Sequence, residues 1–175
     1  MLRAPLIRRA VSTDSASIVA LVERAYRGSE SFEGWTTEAH LLDGQRTDAD
    51  EIEALLADPD VQLLSAWLDL ELVGSVVVKR GQGTASLSML AVLPRRQGSG
   101  IGSALLDQAE AVARGWAARA LSMYVIDLRR ELIAYYTRRG YSATGRTEPF
   151  PYGNPRFGLP KVEDLRFLVL EKQLV

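Results

Sequence analysis

The sequence contains no cysteine and a single histidine, His40. The first absence excludes a disulfide scaffold, a thiolate zinc site, an iron–sulfur cluster and a cysteine nucleophile. The second excludes a histidine-rich metal site and leaves a Ser-His-Asp triad only through His40 itself. No metal is therefore expected. No apolar run approaches the roughly 18 residues of a membrane span. The opening stretch, MLRAPLIRRAVSTD, has too short an apolar run for a signal peptide. A soluble, cytoplasmic chain with no membrane partner is the expectation. Lys plus Arg number 21 and Asp plus Glu 22, a balance that does not suggest a nucleic-acid binder.

What is present is ordinary for a folded protein. The 175 residues are 47% hydrophobic and 25% charged, enough for one domain over residues 1–175 with a packed core. The charges are unevenly placed. Residues 28–60 hold ten acids and one base, Arg46, and the remainder holds 20 bases and 12 acids. Either this segment forms an acidic face for a cationic acceptor, or its acids sit in the first turns of helices, where the macrodipole favours them.

The apolar pattern lays out the elements. Residues 6–11 predict a first strand. Ser12, Thr13 and Asp14 offer capping oxygens to a helix with Ile18, Leu21, Val22, Ala25 and Tyr26 on one face, ended by Gly28. Thr36 can open a brief helix through Leu42, stopped by Gly44. Asp48 with Glu51 resembles a capping box for a helix closed by Asp58-Pro59. Residues 61–68, 72–79 and 86–93 predict a meander of strands. A long helix follows, with Ile101, Leu105, Ala109, Val112 and Trp116 as its stripe. Then come a strand at 121–126, a helix at 131–139 stopped by Gly140, and a last strand near 165–170, a candidate sheet edge. Residues 148–161 are irregular, with four of the seven prolines and three aromatics. The order predicts an α/β fold with a mixed sheet.

The segment from Gln97 to Ser103, QGSGIGS, follows a strand and opens a helix. Glycines let the backbone approach a ligand, and first-turn amides point outward without internal partners. Together they make a pyrophosphate cradle. A P-loop would need lysine after Gly102, where Ser103 stands. A dinucleotide fingerprint fits only in part, because its third position is Ser103 and the motif follows a meander. A loop for acyl-CoA is the third reading.

The segment MLAVLPRRQGSGIGSALL resembles the signature of the GCN5-related N-acetyltransferases, Gln/Arg-x-x-Gly-x-Gly/Ala. Gln97, Gly100 and Gly102 match it, after a strand and Pro94. The later ELIAYYTRRGY resembles that family's next helix, with Tyr135, Tyr136, Gly140 and Tyr141 in register. The two elements span about residues 86–141. The resemblance implies a mixed, mostly antiparallel sheet flanked by helices, with two parallel strands splayed around acetyl-CoA.

It further implies that Leu90, Ala91 and Val92 present backbone groups to the pantetheine arm and the thioester. Gln97, Gly98, Ser99, Gly100, Ile101, Gly102 and Ser103 would hold the pyrophosphate. Tyr136 would be the general acid for the departing thiolate, and Tyr135 a packing residue. Relatives often carry Asn and Ala where this chain has Arg129 and Leu132, so the Asn role is not carried over. Glu33, Trp35, Glu38 and Tyr152 are candidates for the acceptor site, and Arg95 and Arg96 for the cofactor's phosphates. The implied reaction is direct acetyl transfer to a primary amine, on a small molecule or a peptide, in a ternary complex. The lack of cysteine agrees, since it removes the best acyl carrier. A homodimer is a further expectation. A CoA-binding sensor without turnover and a dinucleotide-binding oxidoreductase are the alternatives.

Overall fold

The computed structural model describes residues 4–174. Its elements run β1 (Leu6–Arg9), α1 (Ser15–Tyr26), β2 (Leu42–Asp43), α2 (Ala49–Ala57), β3 (Val61–Leu68), β4 (Glu71–Arg80), β5 (Ala85–Val92), α3 (Ile101–Gly115), β6 (Ala120–Ile126), α4 (Arg130–Arg138), β7 (Ser142–Pro149), β8 (Leu159–Pro160) and β9 (Arg166–Gln173). No helix among the described residues is long and apolar enough to cross a membrane.

Seven strands form one sheet in the order β1-β3-β4-β5-β6-β9-β7. Every neighbouring pair is antiparallel except β5 and β6. The parallel strands join only at Ala85–Leu121 and Ser86–Ser122. Beyond Ser86 they separate, and this split is what positions the site. Helices α1 and α3 both pack on β4 and β5, and α2 packs on β3. Strand β4 is buried without interruption from Leu72 to Val78, as a strand covered on both faces must be. Apolar burial over this whole layer is the main source of stability.

The helix starts follow local chemistry. Asp48 caps α2 by accepting from the Glu51 amide at 2.8 Å. Asp14 accepts from the Val11 amide at 2.9 Å and closes a short 3-10 turn before α1.

Three expectations need correction. No helix forms between Thr36 and Leu42. The Glu38 amide instead donates to the Tyr26 carbonyl at the end of α1, and one turn closes from Glu38 to Leu42. Strand β2 then pairs with β8 across the molecule. The last strand is not an edge, because β9 lies between β6 and β7. The edge on that side is β7, whose residues are all exposed, so it carries no apolar alternation to read. Residues 148–161 include the end of β7 and all of β8. Phe150 from this stretch packs with Leu41, Leu42, Ile126 and Leu165 as a second, smaller core.

Candidate active site

Within the split from β6, strand β5 carries a β-bulge. Ser75 faces Ala91 and Val77 faces Ser88, so Val76 alone stands opposite Met89 and Leu90. Met89 has left-handed backbone, φ +47°, which bends the strand away from its neighbour. The Tyr26 hydroxyl donates to the Leu90 carbonyl, and the Val92 carbonyl accepts from the Gln97 side chain at 3.1 Å. The amide N–H groups of this stretch remain the ones suited to meet a thioester oxygen.

The turn after β5 is open. Gly98 and Gly100 have φ of +79° and +88°, with no atom near enough to touch an added Cβ. Backbone conformation, not crowding, requires glycine there. Gly100 precedes α3, which has no side-chain cap. The Ala104 amide bonds to the Gly100 carbonyl, so the amides of Ile101, Gly102 and Ser103 have no intrahelical acceptor. Anions can be received at a helix N-terminus of this kind. The Ser103 hydroxyl stands on it, 3.5 Å from the Tyr135 hydroxyl, and the Ser99 hydroxyl turns back to the Arg96 carbonyl. The Ile101 side chain is buried in the core and offers only its amide.

Gln97 behaves differently from its expected part. Its side chain accepts from the Trp35 amide at 2.8 Å and donates to Thr36 Oγ1 at 2.8 Å and the Val92 carbonyl. It is a strut between the turn and the 34–36 segment, and the Gln97 main-chain N–H donates to the Pro94 carbonyl at 3.3 Å, so neither is left for a phosphate. Arg95 and Arg96 are paired with Glu33 and Glu71 at 2.8 and 3.1 Å.

Past the bulge the split widens into a cavity of about 540 Å³. Tyr26, Leu90, Arg129 and Tyr136 line it, with the aromatic side chains of Tyr124, Phe150 and Phe157. Tyr136 is buried, with its ring edge-on to Tyr135 and Tyr141 at centroid distances of 5.3 and 5.7 Å. Burial pushes the Tyr136 phenol well above its ordinary value, and pushes Tyr26 up to about 12. Both stay protonated at neutral pH.

One charged cluster completes the wall. Glu38 Oε2 accepts from Arg27 at 3.3 Å and Oε1 from Arg129 at 3.2 Å. Arg129 also donates to the Thr36 carbonyl at 2.6 Å. Arg27 holds the carbonyls of Asp43, Gly44 and Gln45.

The structure thus brings Leu90, Tyr136 and Glu38 to one cavity. Glu33 is exposed beside Arg95, outside that cavity. Trp35 stacks on Tyr135 at 5.4 Å near the turn instead of lining the cavity. Tyr152 lies behind Phe150, its hydroxyl donating to the Val162 carbonyl and accepting from the Leu165 amide, both at 2.9 Å. Its neighbours Phe150 and Pro151 reach the wall, and Tyr152 does not. Tyr26 and Arg27 were not anticipated as site residues. The only sequence signal was their place at the end of α1, where Tyr26 reads as part of the apolar stripe.

Six of the ten acids of residues 28–60 are paired with bases, Glu38 among them, while Asp50 and Glu53 are exposed near the start of α2. Glu30 pairs with Arg24, Glu33 with Arg95, Asp43 with Lys161, Asp58 with Lys79 and Asp60 with Arg80. Among the described residues no group of three or more His, Asp and Glu side chains is arranged to hold a metal.

A model of the acetyltransferase (GNAT) family matches residues 22–141, more than half of the chain. The chain belongs to that family. Solved structures agree in fold. A ribosomal-protein-alanine N-acetyltransferase from Brucella melitensis is 20% identical, with 96% of this chain and 99% of that one covered and a TM-score of 0.72. An N-acetyltransferase from Staphylococcus aureus Mu50 is 17% identical, covering 99% and 100%, TM-score 0.73. A GNAT acetyltransferase from Streptococcus pneumoniae is 20% identical, covering 97% and 99%, TM-score 0.69. No curated protein matches the chain in sequence. The mixed sheet with one parallel pair is the GNAT architecture, not the doubly wound parallel sheet of a dinucleotide-binding unit.

Proposed function

We propose that this GNAT protein is an N-acetyltransferase. It moves the acetyl group of acetyl-CoA to a primary amine by direct attack within a ternary complex. The observation that carries this reading is the bulged split of β5 and β6 opening into a cavity walled by Tyr136.

The residues divide the work. The amides of residues 101–103 and the bare backbone at Gly98 and Gly100 suit the diphosphate of the co-substrate. The edge of β5 from Leu90 to Val92 suits the pantetheine arm, which would lie where β6 has turned away. A neutral amine attacks the thioester carbonyl carbon, forming the C–N bond and an oxyanion. A main-chain N–H fixed at the bulge favours that charge. The C–S bond then breaks, and the Tyr136 hydroxyl gives its proton to the leaving sulfur. Its raised pKa keeps that proton in place until the sulfur carries charge. The amine's proton must pass to a carboxylate or water. Both oxygens of Glu38 already accept from guanidinium groups, so Glu51 and Glu148 are the wall carboxylates left for it.

The test is a titration with acetyl-CoA followed by an amine panel read by thiol release. Saturable binding and turnover that falls in Tyr136→Phe support the reading. Binding with no transfer to any amine identifies a sensor instead. Thermal protection by NAD and none by acetyl-CoA overturns both.

A further inference from the structure

Resting on the N-acetyltransfer reading, we propose that Arg27, Glu38 and Arg129 form a carboxylate anchor. The acceptor is then a small amino-acid-like molecule, bearing a primary amine and a carboxylate, with an apolar side chain.

The cluster is buried and unbalanced. Arg27, Glu38 and Arg129 are 4%, 9% and 8% exposed, and all three line the cavity. Two guanidinium groups share one carboxylate, so the buried cluster itself carries one positive charge, while the more exposed Arg46, Glu51 and Glu148 bring the wall to three arginines and three glutamates. An uncompensated buried charge is costly, so such a cluster fits a fold that expects an anion to complete it. Donors are left over as well. A guanidinium carries five N–H donors, and Arg129 uses one on Glu38 and one on Thr36. A planar group with unused parallel donors matches a carboxylate in two-point geometry.

Position agrees with this chemistry. Arg129 is close enough to the Tyr26 and Tyr136 phenols for its charge to act on both. An anion held there places the rest of its molecule beside the thioester end of the cavity. Glu51, Glu148 and Arg46 also stand in the wall. Glu51 accepts from Thr47 at 2.7 Å, Glu148 is exposed, and Arg46 lies over the Tyr26 ring at 5.8 Å. Tyr124, Phe150 and Phe157 in the same lining offer contact to an apolar side chain.

The experiment compares apolar α-amino acids with their C-terminal amides and their decarboxylated amines, using acetyl-CoA and the full chain. An amidated peptide with a free N-terminus is included. At least one free acid is expected to exceed its amide in kcat/KM by about 10- to 100-fold, the range of a charge-assisted hydrogen bond. The difference should sit mainly in KM. Arg129→Gln is expected to shrink that acid-to-amide ratio by a similar factor, and Arg129→Lys to restore part of it. Amides, amines or the amidated peptide serving as well as the acids would overturn the anchor while leaving acetyl transfer intact. So would transfer to none of the free acids with acetyl-CoA still bound. Absence of acetyl-CoA binding would instead remove the N-acetyltransfer reading itself. The wild-type comparison stands alone if the Arg129 variants fail to fold.

Discussion

Gln97 holds Trp35 across the site, its side-chain oxygen accepting the Trp35 backbone N–H at 2.8 Å. The same side chain bonds Thr36 and the end of β5. The Thr36 carbonyl in turn accepts from Arg129, and Arg129 pairs with Glu38. One run of hydrogen bonds therefore links the open turn before α3 to the cavity. Gln97→Ala removes three bonds at once. Each is worth about 1 kcal/mol net, less where the site is open to water. The expected loss is about 2 kcal/mol, or a melting temperature lower by about 4–8 °C. Acetyl-CoA affinity should fall with it, because the turn loses its brace. Calorimetric melting and titration of the two proteins decide this, and unchanged values would show the strut to be idle.

Tyr136 and Tyr135 sit side by side on α4 but face different neighbours. Tyr136 lines the cavity, and Tyr135 meets Trp35 and Ser103. Tyr136→Phe should lower kcat by about 10²–10⁴-fold, the usual worth of a placed acid. Tyr135→Phe should act on the KM for acetyl-CoA and leave kcat the less affected. The pH profile separates the two roles further. Burial raises the Tyr136 phenol, so the protonated, active form persists to higher pH than a free tyrosine, whose pKa is about 10. kcat should show no loss of an essential acid between pH 7 and about 10. A fall in that range that vanishes in Tyr136→Phe would contradict the raised pKa.

The open glycine turn before α3 was legible because its pattern is local. Glycine spacing, a preceding strand and a following helix all lie within one stretch of chain. The place of Tyr136 on α4 was legible for the same reason, through its register with Gly140 and Tyr141. The wall of the cavity was not. Arg27 and Arg129 meet at Glu38 from distant parts of the chain, and no local pattern encodes such a meeting. Glu38 stood among the acceptor-site candidates beside Glu33, and only the fold shows it fixed between two guanidinium groups. The same limit hid the buried Glu110, which sits on the stripe of α3 and is neutralised there by Lys172 at 2.8 Å and bonded by Tyr141 at 3.2 Å. Edge strand β7 escaped because a strand exposed on both faces has no apolar period.

Gly100 tests the cradle without touching the core. An added methyl group would meet nothing, yet the residue has left-handed backbone at φ +88°. Gly100→Ala should therefore cost about 1–2 kcal/mol of backbone strain and no steric clash. The chain can relieve that strain by turning the amides of residues 101–103 away from the anion. The expected result is a well-folded protein with acetyl-CoA bound about tenfold more weakly. Equal affinity in a calorimetric titration would show that these amides do not grip the diphosphate.

Asp14 gives the fold an acid-sensitive joint far from the site. Its carboxylate accepts two bonds from Arg8 at 2.7 and 2.9 Å and one from the Val11 amide. Arg8 first, and then the Val11 amide, hold the Asp14 carboxyl below its ordinary range against the opposing effect of burial. A group depressed in the folded state stabilises above its unfolded pKa, about 3.9, and loses that contribution as pH falls through the folded value. Arg8 is more than a third exposed, so water screens the pair and its worth is about 1 kcal/mol. Asp14→Asn should be less stable than the parent by about that much at pH 7, measured by urea unfolding. The gap should narrow from about pH 5 downward, as the parent's own carboxylate takes up its proton. A gap that stays constant from pH 7 to pH 3 would place the stabilisation in the packing of residue 14 and not in its charge.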